Sequence, residues 1–392
     1  MNNFTYYSPT KIIFGKGTVP QLIPELVNAA ISRVLILTGG KSVYASGLHS
    51  TVIGLLDQAG IKHETVSGVQ PNPRLSKARE AAAAAKAMQA QAILPIGGGS
   101  VFDAAKSVAV GAVSPHDIWE HMPMTRKQPI TAALPVYGIL TLSGTSSELN
   151  SASVLTNEET QEKFAFASDL TFPRVAVVDP TLQYSVPVEQ VCYSGLDALS
   201  HVLEAYFESL DTSEVILEHC ESYSKAIIRC LRALPGAKED YAVRSELVFC
   251  CIYAHSGWAS VGRSRRGDFA SHRIGHALSG IFDVPHGVTL GILMPNWMRY
   301  VYDKGLGREA FTRFATHIMG VKEAPGNDFA LAGIGAFKDL VRSLGMPVSM
   351  REVGVKEADI PRLAENATRA LPFGAIIPMD LENITGVLKQ SL

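Results

Sequence analysis

Short apolar runs that lead into glycine, separated by helix-like segments, constrain the fold of the first half of this chain more than any other feature. Residues 33–38 (RVLILT) precede Gly39 and Gly40, and residues 92–96 (AILPI) precede three further glycines. A run of this length bounded by glycine is typical of a strand buried on both faces. Further strands are predicted over residues 130–137 and 174–178, with helices over residues 75–90 and 100–112. This alternation predicts an α/β fold with a mainly parallel sheet covered by helices on both faces.

The second half has a different character, because strand patterns nearly vanish after about residue 186 and helical periodicity takes over. Helices are predicted over residues 189–206, 213–233, 242–259, 269–280, 310–319, 328–344 and 360–370. A length of 392 residues agrees with two domains. We therefore expect an α/β domain over residues 1–185 and an all-α domain over residues 186–392, with a cleft between them.

Composition and charge exclude several classes of partner. The formal net charge is −2, without a concentrated basic stripe, so we expect neither a nucleic-acid partner nor a membrane partner. The first ten residues lack the pattern of a signal peptide, and no run approaches the roughly 20 apolar residues of a membrane helix. Five cysteines without a CxxC pair are typical of a reducing compartment. We expect a cytoplasmic protein.

Two short stretches of the helical half bring together candidate metal ligands. Asp197 and His201 are spaced i and i+4 in a predicted helix, so they project from one face. His272 and His276 have the same spacing, and His286 follows a proline at a predicted turn between helices. One carboxylate with three imidazoles suits zinc or ferrous iron. The spacing offers five candidates and does not say which one is not a ligand.

A glycine-rich turn in the first half is a candidate phosphate-binding loop. Gly97, Gly98, Gly99 and Ser100 follow a buried strand and open a helix, with Asp103 on its first turns. Glycines there let backbone N–H groups approach a pyrophosphate, and the helix N-terminus favours negative charge. The alternative is an ordinary tight turn between strand and helix.

A second polar run and the end of the first strand extend the candidate nucleotide site. Residues 141–150 (TLSGTSSELN) follow a strand and carry hydroxyls that suit phosphate or nicotinamide, although an ordinary capped loop has the same composition. The first strand leads into Gly39, Gly40, Lys41 and Ser42, with no acidic residue to bind a ribose 2′-hydroxyl. A lysine and a serine there suit a 2′-phosphate, which favours NADP(H) over NAD(H).

These segments together resemble the iron-containing (group III) alcohol dehydrogenase family, most closely its NADP-using butanol dehydrogenase and aldehyde reductase branch. The resemblance is carried by short motifs spread over nearly the whole chain, namely Pro9-Thr10-Lys11, Phe14-Gly15-Lys16-Gly17, Pro71-Asn72-Pro73, Gly97-Gly98-Gly99-Ser100 with Asp103 and Lys106, Gly144-Thr145 with Glu148, Asp197 with His201, His272 with His276, and Pro285-His286-Gly287.

The resemblance implies a Rossmann-like nucleotide domain, a helical metal domain and transfer of hydride between a nicotinamide nucleotide and a small alcohol or aldehyde. It implies that the metal ligands are Asp197, His201, His272 and His286, and that His276 is a catalytic non-ligand near the nicotinamide. The nucleotide residues that it implies are Gly39, Asn72, Gly97, Gly98, Ser100, Thr141, Thr145, Asn150 and Lys163. It also implies a homodimer or a larger homo-oligomer.

Some residues depart from the pattern of the family. Lys41 and Ser146 stand where the NADP-using branch has small residues, and residues 262–268 are unusually basic. Three other functions stay open on the sequence: a lyase resembling dehydroquinate synthase, a zinc-dependent dehydrogenase of the glycerol type, and a nucleotide sensor without catalytic activity.

Overall fold

The structure is a computed structural model that describes residues 1–208, 212–263, 265, 267–322 and 328–392. It divides into two units, each assembled from separate stretches of chain. The sheet unit comprises Tyr7–Pro187 and Lys238–Val248, and the helical unit comprises Met1–Tyr6, Val188–Ala237 and Phe249–Leu392. Among the described residues, no helix is long and apolar enough to cross a membrane.

The sheet unit is built around a six-stranded parallel sheet. Its strands and helices are β1 (Lys11–Phe14), α1 (Leu22–Asn28), β2 (Arg33–Thr38), α2 (Ser42–Ala45), α3 (Leu48–Gln58), β3 (Lys62–Val66), α4 (Leu75–Ala87), β4 (Ala92–Gly98), α5 (Gly99–Gly111), β5 (Tyr137–Leu142), β6 (Ala152–Asn157), β7 (Glu162–Ala167) and β8 (Val175–Val178). The strand order is β1-β8-β5-β4-β2-β3, and β6 and β7 form a separate antiparallel pair.

The side chains of β2 show why the sheet is covered on both faces. Leu35 and Leu37 pack in a core with α4 and α5, whereas Val34 and Ile36 pack in a second core with α1 and α3. Because successive side chains of a strand point to opposite faces, a continuous apolar run is needed where both faces are buried. The predicted fold class, a parallel α/β sheet domain and a helical domain, is confirmed.

One strand prediction is wrong. Residues 130–136 are not a strand, and β5 begins only at Tyr137. Pro135 has no N–H to donate to a ladder, and it stands two residues before the strand starts. Ile130 and Leu134 pack against the core beside α5, so the apolar character of this segment reflects burial of a loop.

The helical unit contains long helices connected by turns. They are α6 (Val188–Glu208), α7 (Glu214–Ala233), α8 (Tyr241–Ala254), α9 (Ala270–Phe282), α10 (His286–Asp303), α11 (Arg308–His317), α12 (Phe329–Ser343), α13 (Ile360–Thr368) and α14 (Leu381–Gln390), with the first residues of α8 counted in the sheet unit. The sequence did not predict α10. Pro295 lies inside this helix, where proline normally interrupts helical structure.

Candidate active site

One face of α6 places polar side chains in the interior of the helical unit. Asp197 is 3% exposed and Glu204 is fully buried, although the helix is otherwise rich in apolar residues. Asp197, His201 and Glu204 follow i, i+4 and i+7 spacing, so they share this face. Carboxylates are almost never fully buried without a partner, so this face indicates a built site.

Three imidazoles converge on Asp197. Its Oδ1 lies 3.5 Å from Nε2 of His201 and 3.7 Å from Nε2 of His272. The distance from the same oxygen to Nε2 of His286 is 3.7 Å. These separations exceed hydrogen-bond lengths. Ligand atoms about 2.1 Å from a tetrahedral ion lie about 3.4 Å from one another, so the observed distances fit the edges of a zinc or iron coordination shell.

The turn between α9 and α10 brings His286 to this cluster. Asp283 ends α9 in a left-handed conformation, and Pro285 precedes the first residue of α10. A Cβ built on Gly287 would lie 2.0 Å from the backbone oxygen of Tyr193 in α6. Only glycine permits this approach of the two helices, which places His286 beside Asp197. The predicted turn between helices at His286 is present.

The ligand atoms differ in how closely they are grouped. Those of Asp197, His272 and His286 all lie within 4.8 Å of one another. His201 reaches Asp197, but its ring is also tilted against two other imidazoles, with its centroid 4.1 Å from that of His255 and 4.2 Å from that of His272. Burial and the neighbouring imidazoles lower the pKa of His201 well below its usual value, which keeps it in the neutral form that binds metals.

His276 lies at the edge of the same cluster. Its ring centroid is 5.3 Å from that of His286, and its side chain is partly exposed, whereas His272 is buried. The structure thus brings together the five residues that the sequence singled out.

Two neighbours of this cluster were missed by the sequence reasoning. Glu204 accepts hydrogen bonds from both the backbone N–H and Nδ1 of His272. Its spacing from Asp197 on one helical face was an available signal. His255 follows α8 and reaches His201 only through the fold, so no local pattern could have revealed it.

The phosphate-binding candidates of the sheet unit lie where β4 meets α5. Gly98 precedes the helix in an extended conformation, and Gly99 begins it. A Cβ on Gly99 would lie 2.1 Å from Oγ1 of Thr145, which follows the end of β5. The side chain of Thr145 therefore packs directly against the backbone of Gly99, and the two candidate segments meet here. Ser100 is partly exposed on the first turn of α5, where backbone N–H groups have no partner within the helix.

A cluster of buried charged side chains on α5 holds the segment after β5 in place. Lys106 is fully buried and donates to Ser147 Oγ at 2.9 Å, to Asn150 Oδ1 at 3.0 Å and to a backbone carbonyl at 2.7 Å. Asp103 accepts from Ser147 at 2.6 Å, so its carboxylate faces this cluster. Burial lowers the pKa of Lys106 to about 8 and raises the pKa of the neighbouring Glu148 to about 8. The sequence offered Asp103 as a nucleotide contact and did not anticipate this network.

The remaining nucleotide candidates occupy three places in the sheet unit. The connection from β2 to α2 consists of Gly39, Gly40 and Lys41, and Ser42 begins α2. All of these except Gly39 are exposed. Asn72 has a positive φ of 55° and accepts a hydrogen bond from Lys163 at 2.9 Å. Thr141 is partly buried near the end of β5.

The basic segment has no single role. Arg263 donates to the carbonyl of Ala259, and Arg265 donates to that of Gly374, so both help to hold the helical unit together. Arg266 lies outside the described residues.

Comparisons with known proteins agree along the whole chain. The family model described as iron-containing alcohol dehydrogenase matches residues 9–180. A second model, described as the C-terminal part of the Fe-containing alcohol dehydrogenase family, matches residues 191–392.

Individual relatives agree with these matches. The chain is 36% identical, over all of both chains, to a probable NADH-dependent butanol dehydrogenase 1 of Bacillus subtilis (strain 168). It is 30% identical to the NADPH-dependent aldehyde reductase YqhD of Escherichia coli (strain K12), over 93% of this chain and 92% of the relative. The crystal structure of NADH-dependent butanol dehydrogenase A from Thermotoga maritima superposes with a TM-score of 0.95 at 39% identity, covering 100% of this chain and 99% of that one.

Proposed function

We propose residue roles for this chain on the premise that it belongs to the iron-containing alcohol dehydrogenase family. The chain is an oxidoreductase that uses a nicotinamide nucleotide to interconvert alcohols and aldehydes. The resemblance seen in the sequence is thereby confirmed. The chain works with a divalent metal and a nicotinamide nucleotide, and its substrates are small alcohols and aldehydes.

Asp197, His201, His272 and His286 hold the metal, either Fe²⁺ or Zn²⁺. The observation that carries this assignment is the convergence of three Nε2 atoms on one carboxylate oxygen at 3.5 to 3.7 Å. When bound, the ion supplies Lewis-acid polarisation of the substrate oxygen, and the nucleotide supplies or accepts the hydride. One carboxylate among the four ligands leaves a net positive charge to act on that oxygen.

His276 moves a proton between the substrate oxygen and solvent. It stands next to a proposed ligand, and its partial exposure gives it access to water. An imidazole nitrogen can both accept and donate a proton, which suits His276 to general acid and base work in both directions of the reaction.

Gly97, Gly98, Gly99 and Ser100 bind the pyrophosphate at the N-terminus of α5. Thr141, Thr145, Asn150, Lys163 and Asn72 line the rest of the nucleotide site. Asp103 acts on the nucleotide through Ser147, because its carboxylate is buried and hydrogen-bonded to that side chain.

The preferred nucleotide is NADP(H), bound at its 2′-phosphate by Gly39, Gly40, Lys41 and Ser42. Several relatives are NADH-dependent by name, so this preference rests on the residues of this chain. A Cβ on Gly39 would meet only ordinary contacts of 3.5 and 3.7 Å, so a side chain can begin there without a clash at Cβ. Gly39→Asp should therefore shift kcat/KM towards NADH, and Lys41→Ala should raise the KM for NADPH alone. Equal kcat/KM for both nucleotides in the unmodified enzyme would refute this preference.

A homodimer or larger homo-oligomer is proposed for the assembly. Among the described residues, strand β1 pairs only with β8 and therefore forms an edge of the sheet, which can pair with a second copy. Light scattering on the purified protein measures the mass directly, and a monomeric mass would exclude the assembly. A cytoplasmic location is proposed on the sequence alone.

The metal assignment is tested with His272→Ala. This variant should lose bound metal and turnover while keeping nucleotide affinity, because His272 lies in the helical unit. His219→Ala is the matched control, since His219 is a partly buried histidine of α7 whose ring packs at a tilt against that of Tyr223. Full turnover in protein stripped of metal, or normal metal content in His272→Ala, would contradict the assignment.

A further inference from the structure

We infer that Glu204 is a positioning residue that fixes the ring of His272 for metal binding, an inference that rests on the proposed metal site. The ring of His272 lies between two carboxylates. Its Nε2 is 3.7 Å from Oδ1 of Asp197, and its Nδ1 is 3.0 Å from Oε1 of Glu204. The two nitrogens lie on different edges of the ring. Asp197 therefore shares the proposed metal ion with Nε2, whereas Glu204 contacts Nδ1 and does not reach the ion.

The contact with Glu204 determines which nitrogen carries the hydrogen. A carboxylate only accepts hydrogen bonds, so Nδ1 must be the donor in this pair. In the neutral ring Nε2 then holds the lone pair, and this is the nitrogen that faces Asp197. Glu204 thus selects the tautomer that coordinates, and its charge makes the imidazole a stronger donor to the metal.

Glu204 holds the backbone of His272 as well as its ring. The same Oε1 accepts the backbone N–H of His272 at 3.2 Å, and the backbone oxygen of Glu204 accepts the N–H of Asp268 at 3.0 Å. Phe269, which lies between Asp268 and His272 in the sequence, has a positive φ of 56°, a conformation that non-glycine residues rarely adopt. These hydrogen bonds hold the strained start of α9 against α6.

Asp268 also holds the start of α9 in place, through hydrogen bonds to the backbone. Its carboxylate accepts the backbone N–H groups of Ala270 at 3.1 Å, Ala375 at 2.6 Å and Ile376 at 2.9 Å. The position of His272 is therefore set before an ion arrives, and Glu204 is the carboxylate of this network that hydrogen-bonds to the ligand ring.

The test measures zinc affinity by competition with a chromogenic chelator, in protein first stripped of metal. Glu204→Gln keeps the size of the side chain and removes its charge, so zinc should bind about 10- to 100-fold more weakly. Glu208→Gln is the matched control, because Glu208 is a buried carboxylate one turn further along α6 that accepts a hydrogen bond from the backbone of Arg265. Its zinc affinity should equal that of the unmodified protein.

A second readout separates positioning from general loss of structure. In zinc-loaded protein, the Nδ1 proton of His272 should be slow to exchange with solvent, and Glu204→Gln should speed its exchange while the nucleotide affinity stays unchanged. Glu204→Asp retains the charge but shortens the side chain by one methylene group, so its zinc affinity should lie between those of Glu204→Gln and the unmodified protein. This variant replaces Glu204→Gln if Glu204→Gln does not fold. Equal zinc affinity in the Glu204 variants and the unmodified protein, or equal losses in Glu204→Gln and Glu208→Gln, would overturn the inference. If the unmodified protein itself bound no zinc or iron, the proposed metal site would fail instead.

Discussion

Adding one methyl group to Gly287 should disrupt the metal site by forcing two helices apart. The new Cβ of Gly287→Ala would lie 2.0 Å from the oxygen, 2.6 Å from the carbon and 2.9 Å from the Cα of Tyr193. All three are backbone atoms, so no side chain can rotate away. Ordinary contact begins at 3.4 Å, which requires the start of α10 to move by about 1.4 Å.

This displacement is large compared with what a metal site tolerates. Ligand distances in such sites vary by about 0.2 Å, and His286 is the residue next to Gly287. We expect zinc affinity to fall by about tenfold or more, and the free energy of unfolding to fall by about 1–3 kcal/mol from overpacking. The first is measured by chelator competition and the second by urea titration of metal-free protein.

A second glycine provides the control. Gly335 lies exposed inside α12, and a Cβ there would have nothing within 4 Å. Gly335→Ala should keep the zinc affinity and gain up to about 1 kcal/mol of stability, because alanine is the better helix former. If Gly287→Ala bound zinc as tightly as Gly335→Ala, the close approach of α10 to α6 would not be what places His286.

Three further predictions concern the sheet unit. Gly99→Ala should raise the KM for the nucleotide and leave the zinc affinity unchanged, because its Cβ would displace Thr145; an unchanged KM in steady-state assays would count against the proposed loop. Lys106→Met should destabilise the protein by about 1–3 kcal/mol in urea titration, since it removes the buried donor to Ser147, Asn150 and a backbone carbonyl; a loss below about 0.5 kcal/mol would contradict this. Because burial raises the pKa of Glu148 from 4.5 to about 8, the folded state binds more protons than the unfolded state in that range. Stability should therefore fall as pH rises from 4.5 to 8, and Glu148→Gln should remove this contribution to the slope of stability against pH.

The fold could be predicted from the sequence where burial has a simple period. Strand β2 was predicted with its observed bounds, because a strand covered on both faces is a continuous apolar run. Helix α10 was not predicted. It is buried nearly all round, so its sequence shows no amphipathic spacing, and Pro295 inside it argues against a helix. Strand β5 was placed too early because the buried loop before it is equally apolar.

The site could be predicted where its members share a helix. Asp197 and His201, or His272 and His276, are one turn apart, and this spacing is visible in any helical segment. The hydrogen bond between Glu204 and His272 joins two helices through residues that are 68 positions apart in the sequence. The hydrogen bond between Lys106 and Asn150 joins residues that are 44 positions apart. Such contacts depend on the folded arrangement, which local spacing does not encode.

The discontinuous chain of the sheet unit has a consequence for folding during synthesis. All of the strands that the structure describes precede Pro187, yet Lys238–Val248 also belongs to this unit. Within that stretch, the fully buried Arg244 donates a hydrogen bond to the backbone oxygen of Gln183, whose side chain in turn bonds Ser143 in the segment after β5. The last strand ends at Val178 and this stretch begins at Lys238, so a ribosome has made about sixty residues beyond the last strand before this part of the interior can close. Fragments that stop near residue 187 should collapse around the sheet but leave the segment after β5 unsupported.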